Sequence, residues 1–548
     1  MIARQGDPAP GLPGKFFNGI ISEGPSIGPS GHVAFRSDLN GESNYYSLWC
    51  GLPGALGLVA RAYAQAPGFP AGVNLDVPRA PVGIDPQGRV GFYANLWGNA
   101  VPTSQWATFW GGPGGVTPLL RQGAEVPWVT SGVLASSYFQ PPLLGGGTAV
   151  LSASTTSNNS NGSVGIWQTT PSGLQLIMRQ GASAPGMPVG AVFYGTGLPS
   201  RPLVNSSGDV AFWAQVTGGG VDYLTNDRGI WIRRNGVLSL AFRGNAPVSG
   251  FGTGVTLIYP DLRAFAIDGS IAFFGDLKFN NGQNNQSALW WGKPGDYRLV
   301  ARLGAQAAGA PVGVVHGSFT FTRPMLAGEF MGFTSSLFGP GVNSSNSDAF
   351  FLGRRDNVRM VIRQGDQVPG MPSGVVFASI YDGFAMNARG QIVFRATIAG
   401  PGITTANDEG IWATDSRGHI VQVARQGTPI TAMTANGTSV SLPVVLLSIL
   451  ADSGGEDGTP TSINAAGQVA FYVYTDPAQA SSQAAIIRAD IIEPCVADFN
   501  EDGFLDFADF DDFVGAFEGG LATSDINADG FLTFDDFDAF VAAFEAGC

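Results

Sequence analysis

Up to about residue 492, apolar residues alternate with polar ones in short runs, each bounded by turn residues. The pattern is clearest in Asn205-Ser-Ser-Gly208-Asp-Val-Ala-Phe212, Asn387-Ala-Arg-Gly390-Gln-Ile-Val-Phe394 and Asn464-Ala-Ala-Gly467-Gln-Val-Ala-Phe471. Asn and Gly tolerate the left-handed backbone of a tight turn, and the period-two alternation after Gly predicts a half-buried strand. Looser copies stand at Gly31 to Phe35, Gly88 to Phe92, Gly147 to Leu151, Gly269 to Phe273 and Glu329 to Phe333.

Two further signals share this rhythm. An apolar pair follows each turn motif: Leu48-Trp49, Phe109-Trp110, Ile166-Trp167, Ile230-Trp231, Leu289-Trp290, Phe350-Phe351, Ile411-Trp412 and Ile486-Ile487. An arginine near a glycine then recurs at Arg4, Arg61, Arg121, Arg179, Arg243, Arg302, Arg363 and Arg425, at intervals from 57 residues (Arg4 to Arg61) to 64 (Arg179 to Arg243). A fixed period of this size predicts a repeat architecture. Each aromatic strand and the arginine strand after it read as a hairpin. The last apolar strand, Ala484 to Arg488, lacks such a partner, whereas Met1 to Arg4 is a partner strand with nothing before it. Pairing the two ends closes a ring and removes its free edges. The expected fold is therefore all-β, an eight-bladed β-propeller of about sixty-residue repeats over residues 1–492. An open β-solenoid or two smaller repeat domains is the alternative, and the offset termini are harder to place there.

The period changes at the C-terminus, over residues 493–548. Two acidic loops, Asp498 to Asp509 and Asp525 to Asp536, each run into a stripe with helical spacing: Phe510, Phe513, Val514, Phe517, and Phe537, Phe540, Val541, Phe544. Loops and stripes are both displaced by 27 residues, Asp498 to Asp525, so a loop-helix unit is duplicated. Oxygen donors at loop positions one, three, five, nine and twelve, with Gly503 and Gly530 at six, form the ligand pattern of calcium. The expected ligands of two calcium ions are Asp498, Asn500, Asp502, the Phe504 carbonyl, Asp506 and Asp509, then Asp525, Asn527, Asp529, the Phe531 carbonyl, Thr533 and Asp536. The Phe504 and Phe531 side chains are thereby free to pack into a core.

This segment resembles a type I dockerin, a small all-α calcium module. The resemblance implies calcium-dependent docking onto a cohesin-like or other surface receptor, usually in extracellular polysaccharide degradation. The partner-reading positions ten and eleven of each loop are here Phe507-Ala508 and Phe534-Asp535. The resemblance also brings the module's ends together, implying a Cys495–Cys548 disulfide worth roughly 4 kcal/mol on the chain-entropy model and leaving Cys50 as a buried thiol. The preceding repeats look like a bacterial tandem-repeat family with an NxxGxxAF motif, whose members end in differing anchoring or sorting modules. That second resemblance implies architecture and no activity.

Charge is local. The chain has 28 basic and 42 acidic residues, and Cys495 to Cys548 has 14 carboxylates with no Lys or Arg. No basic block suggests a nucleic-acid surface, and the acidic tail would repel phosphate. Without metal its carboxylates repel one another, so its folding is expected to be coupled to calcium. The longest apolar stretch, around Leu442 to Ala451, is too short to span a bilayer, so no membrane insertion is expected. No signal peptide precedes the first repeat; calcium loops and a cystine nevertheless predict an extracellular or cell-surface location.

The recurring arginines have two readings. In one, each guanidinium ties loop carbonyls or an acid of a neighbouring blade; in the other, all eight face the channel and bind an anion such as an acidic glycan. The Trp series reads as core, while Trp97, Trp106 and Trp128, outside that series, read as a binding platform. The three histidines, His32, His316 and His419, are isolated, so no histidine-based metal site or triad is expected. A carboxylate pair for glycoside cleavage would draw on Asp85, Asp209, Asp268, Asp382 or Asp408. The expected function is a non-catalytic binding or scaffold propeller. The alternatives are a carbohydrate-active hydrolase or lyase and a purely structural surface protein.

Overall fold

The computed structural model describes residues 1–20, 24–79, 83–98, 101, 105–127, 134–139, 141–156, 163–194, 201–248, 251, 254–279, 284–319, 323–355, 357–380, 383–451, 453–475, 484–491, 495–500, 505–526 and 531–547. It divides into two compact units, 1–413 with 422–490, and 414–421 with 491–548.

The larger unit is an eight-bladed β-propeller. Among the described residues, eight antiparallel sheets of four or five strands follow one another, each touching the next, and a ninth small sheet pairs Ile430–Met433 with Ser439–Leu442. Blade four serves as the type. Its inner edge is the broken strand Val192–Tyr194 and Leu203–Val204, followed outward by Val210–Thr217, Arg228–Arg234 and Val237–Arg243.

The repeat spacing now has a physical cause. In every blade the end of the turn motif lies directly across from the aromatic strand: Phe35 from Trp49, Phe92 from Phe109, Leu151 from Trp167, Phe212 from Trp231, Phe273 from Trp290, Phe333 from Phe351, Phe394 from Trp412 and Phe471 from Ile487. Such cross-strand pairs fix register, because a one-residue slip would turn every apolar side chain to the opposite face. Trp49, Trp167, Trp231, Trp290 and Trp412 are fully buried, as a core role requires.

Ring closure uses the first and last strands of the propeller. Ala3 lies opposite Ile486 and Arg4 opposite Ala485, in antiparallel register. Ile2 N–H donates to the Ile486 carbonyl and Gln5 N–H to the Ala484 carbonyl, both at 2.8 Å. Met1 and Ile2 are buried in the closed ring.

The motif asparagine joins neighbouring blades. Asn387 Oδ1 accepts the N–H groups of Arg389 and Gln391 at 3.0 and 3.1 Å, fixing its own turn, while Nδ2 donates to the Asn464 carbonyl of blade eight at 3.0 Å. Asn464 reaches the Gly28 carbonyl of blade one at 3.3 Å, and Asn205 reaches Ala266 of blade five at 3.0 Å. Side chains with only acceptors cannot make this second link, which explains an amide at the position. Asn387→Ala should lower unfolding free energy by about 1–3 kcal/mol, because buried backbone partners lose their bonds. Urea denaturation measures it, and an unchanged midpoint would contradict the clamp.

In the smaller unit, helix α1 (Phe507–Glu518) starts at the N-cap Asp506 and helix α2 (Phe534–Ala546) at the N-cap Thr533. Each start is a capping box, reciprocated by Asp509 and Asp536. Phe513 and Phe540 are fully buried and stack with ring centroids 3.9 Å apart. Around them pack Phe510, Val514, Phe517, Phe537 and Phe544, so the helical stripes do form the core, apart from Val541.

Candidate functional site in the central channel

The recurring arginines are not in the channel. Arg4, Arg61, Arg121, Arg179, Arg243, Arg302, Arg363 and Arg425 each end the outermost strand of a sheet, the edge opposite the axis. This corrects the reading of a convergent ligand ring. The tying role is visible instead: Arg4 pairs with Asp7 at 3.4 Å, Arg363 Nε donates to the Asn346 carbonyl at 2.6 Å, Arg425 to the Asn407 carbonyl at 3.4 Å, and Arg302 to Gln286.

The aromatic platform also changes. Trp97 ends the strand Val90–Trp97 and Trp106 lies within Gln105–Gly112, so both are strand residues. Trp106 is half-buried against Tyr93 and Arg79. Trp97 is exposed, with Tyr63 packed edge-on at 5.1 Å. Trp128 lies outside the described residues.

Three of the carboxylates considered for catalysis are held by cations. Asp85 meets Arg89 Nε at 2.6 Å, Asp209 meets Arg234 Nε at 2.8 Å, and Asp268 meets Lys293 Nζ at 3.0 Å. Asp408 is half-buried ahead of the strand Glu409–Thr414, and Asp382 lies outside the described residues. His316 is a core residue, its Nδ1 3.0 Å from Ser335 Oγ, and burial pushes its pKa down to about 4.

What occupies the axis is a segment of blade eight, Ser453 to Ser462. Ser453 forms a parallel bridge with Ala385 of blade seven, and its carbonyl accepts the Met386 N–H at 3.0 Å. The Glu456 carboxylate accepts Ile267 N–H of blade five at 3.1 Å and Gly328 N–H of blade six at 3.0 Å. The Asp457 carbonyl accepts Val204 N–H of blade four at 3.1 Å, and the Thr461 carbonyl accepts Ile27 N–H of blade one at 2.8 Å. A segment that meets inner strands on opposite sides of the ring must run through its centre. Gly454 is required there: a Cβ would stand 2.0 Å from the Leu326 carbonyl oxygen. Burial raises the Glu456 carboxyl, against the lowering effect of its two N–H donors.

Three consecutive blades bring arginines to one mouth of this filled channel. Arg201 precedes the inner strand Leu203–Val204, Arg263 lies in Thr256–Phe265, and Arg323 precedes Met325–Ala327. Arg323 is 3.7 Å from Asp457, whose side chain is 6% exposed, and its Nε donates to the Arg263 carbonyl at 3.4 Å. Arg263 pairs with Asp261 at 2.5 Å. Arg201 Nε is buried with no hydrogen-bond partner. Burial and the neighbouring Arg323 together pull its pKa down to about 10, against Asp457.

In the C-terminal unit, the position-twelve carboxylates face inward. Asp509 and Asp536 are fully buried. Asp509 accepts the N–H groups of Asn500 at 3.1 Å and Asp506 at 3.0 Å, which hold its carboxyl below the ordinary range although burial acts the other way. Asp536 accepts Thr533 N–H at 2.9 Å. Among the described residues no group of three His, Cys, Asp or Glu side chains is gathered as a metal site. Asp502, Phe504, Asn527 and Asp529 lie outside them, as does Cys548. Cys495 is disulfide-bonded, whereas Cys50 is free and buried, its thiol pushed up to about 12 by desolvation. Phe531, expected to pack inward, is 72% exposed, because its side chain sits before α2 rather than on its buried stripe.

The model of a family of unknown function (DUF7453) matches residues 1–127, 76–243 and 218–479. The chain belongs to this family. The DUF7453 match ends at residue 479, within the propeller and before the segment 491–548. No curated protein matches this DUF7453 member. Similar solved structures include prolyl oligopeptidase B from Galerina marginata, at 11% identity and TM-score 0.35, covering 77% of this chain and 55% of that one. Another is polysaccharide lyase Uly1, at 10% identity and TM-score 0.33, covering 71% and 90% respectively. The Dos1 propeller shows 9% identity and TM-score 0.31, covering 78% and 90%. At these scores the likenesses carry nothing about the activity of the DUF7453 chain.

The axial segment was missed in the sequence because its residues belong to no repeated motif. One signal existed: 39 residues separate Arg425 from Asn464, against 24 between Arg363 and Asn387. The surplus is the extra hairpin and the axial segment.

Proposed function

We propose that this chain is a secreted or surface-associated, non-catalytic binding propeller, docked by a calcium-dependent C-terminal module onto a cohesin-like or other surface receptor. The observation that carries the reading is a matched pair of exposed aromatics. Phe507 and Phe534 are 79% and 77% exposed, each as the first residue of its helix and each at position ten of its loop. Large apolar side chains left bare in equivalent places mark a surface that a partner covers. In the dockerin-like resemblance these positions read the receptor, and Phe in place of a hydroxyl residue calls for an apolar partner pocket.

Calcium supports the same reading. The buried carboxylates of Asp509 and Asp536 have no basic side chain within Cys495 to Cys548 to neutralise them. A divalent ion in each loop would do so, with Asp498, Asn500, Asp502, Asp506 and Asp509 as side-chain donors in the first and Asp525, Asn527, Asp529, Thr533 and Asp536 in the second. The disulfide at Cys495 suits an oxidising exterior.

Against catalysis stand the carboxylates at Asp85, Asp209 and Asp268, each held by a cation and each placed on a different blade. Incubated with neutral and acidic polysaccharides, the full chain should release no reducing ends. Cleavage that disappears in an Asp→Asn variant would replace this reading with an enzyme.

A further inference from the structure

We infer that the channel mouth formed by Arg201, Arg263 and Arg323 binds an oxyanion, a carboxylate, sulfate or phosphate group of a small ligand. This deepens the binding reading and rests on it.

The charge count motivates the inference. Three guanidiniums from blades four, five and six meet Asp457 and Asp261, the latter also facing Arg228, while Glu456 beside Asp457 is spent on the Ile267 and Gly328 N–H groups. Asp261 serves Arg263 at 2.5 Å, so Arg201 and Arg323 share Asp457. Asp457 is itself committed: one oxygen accepts the Thr459 N–H at 3.1 Å and the Thr459 hydroxyl, and the other stands 3.7 Å from Arg323. Arg201 and Arg323 are left sharing one already committed carboxylate in a confined place, and burying an incompletely paired charge is costly. Arg201 Nε has lost its water without gaining a partner. Burial first and Arg323 second depress the Arg201 pKa, against Asp457.

The mouth is also reachable. The Arg323 side chain is 30% exposed and that of Arg263 42%, so both side chains reach solvent in part while the axial segment fills the channel. A planar guanidinium presents parallel N–H donors matched to two oxygens of a carboxylate, sulfate or phosphate. Arg201 and Arg323 are the anchors of this site. Arg263, tied to Asp261, shapes its side.

The test is calorimetric titration of the full chain with inorganic sulfate, inorganic phosphate, acetate and glucuronate, with glucose as the neutral control. At least one anion should bind saturably, and glucose should not. Their ranking separates sources: preference for glucuronate over acetate identifies an acidic sugar, whereas preference for phosphate or sulfate identifies an esterified ligand. Arg201→Gln and Arg323→Gln should each weaken binding about tenfold or more, since a charge-assisted hydrogen bond is lost. Arg298→Gln, at an exposed ion pair of blade five's outer strand, should change nothing. Arg201→Lys keeps the charge without the fork and should fall between, which keeps the site testable if the Gln variants fold poorly. Absence of saturable binding by any anion, or equal binding by folded Arg201→Gln and Arg323→Gln chains, overturns the proposal. A chain that retains neutral glycans but none of these anions overturns the anion site alone and leaves the broader binding reading in place.

Discussion

Deleting Met1 to Gln5 should destabilise the propeller by about 3–6 kcal/mol and drive the chain to associate. The deletion exposes the buried contacts of Met1 and Ile2, roughly 1.5–3 kcal/mol for each side chain, and removes the 2.8 Å bonds from Ile2 and Gln5 to the last strand. It also leaves Ala484–Asp490 as an open edge, a template for pairing with another chain. Differential scanning calorimetry and size-exclusion chromatography check both effects. An unaltered transition and a monomeric profile would mean that closure by the termini contributes nothing to stability.

That closure was legible in the sequence for a specific reason. The apolar run Ala484 to Arg488 lacked a hairpin partner and Met1 to Arg4 lacked a predecessor, and the register Ala3–Ile486 joins them. The turn motif was equally legible, since Asn387 and Gly390 are required by the backbone they must adopt and Phe394 by its partner Trp412. The arginines show where periodicity misleads. Their regular spacing reports that each ends an outermost strand, and sheet order is needed to see that this edge faces away from the axis. The axial segment was illegible for the opposite reason. Glu456 and Asp457 act through backbone N–H groups and arginines of three other repeats, so no local pattern marks them. In the C-terminal unit the stripe Phe510, Phe513, Phe517 and its duplicate were readable from helical spacing, whereas Phe531 depended on a loop conformation that spacing leaves open.

The second large effect concerns calcium. Chelation should melt α1 and α2 while the propeller remains folded, because each helix start is held by a capping box that ends a carboxylate-rich loop. Asp498 to Asp536 contains no cation to stand in for the metal. Without it, the 14 carboxylates between Cys495 and Cys548 face no Lys or Arg of that segment, and like charges held in one small unit repel. Far-ultraviolet circular dichroism should lose its helical component on chelation and regain it on adding calcium, with Phe507 and Phe534 losing their fixed spacing and the proposed receptor face going with them.

The most direct measurement is calorimetric titration of calcium into the chelator-stripped full chain, repeated with Asp502→Ala and Asp529→Ala. The account predicts two sites, one lost in each variant, and helical signal that rises with occupancy. A stoichiometry below one, or helices indifferent to the metal, would contradict a calcium-dependent docking module.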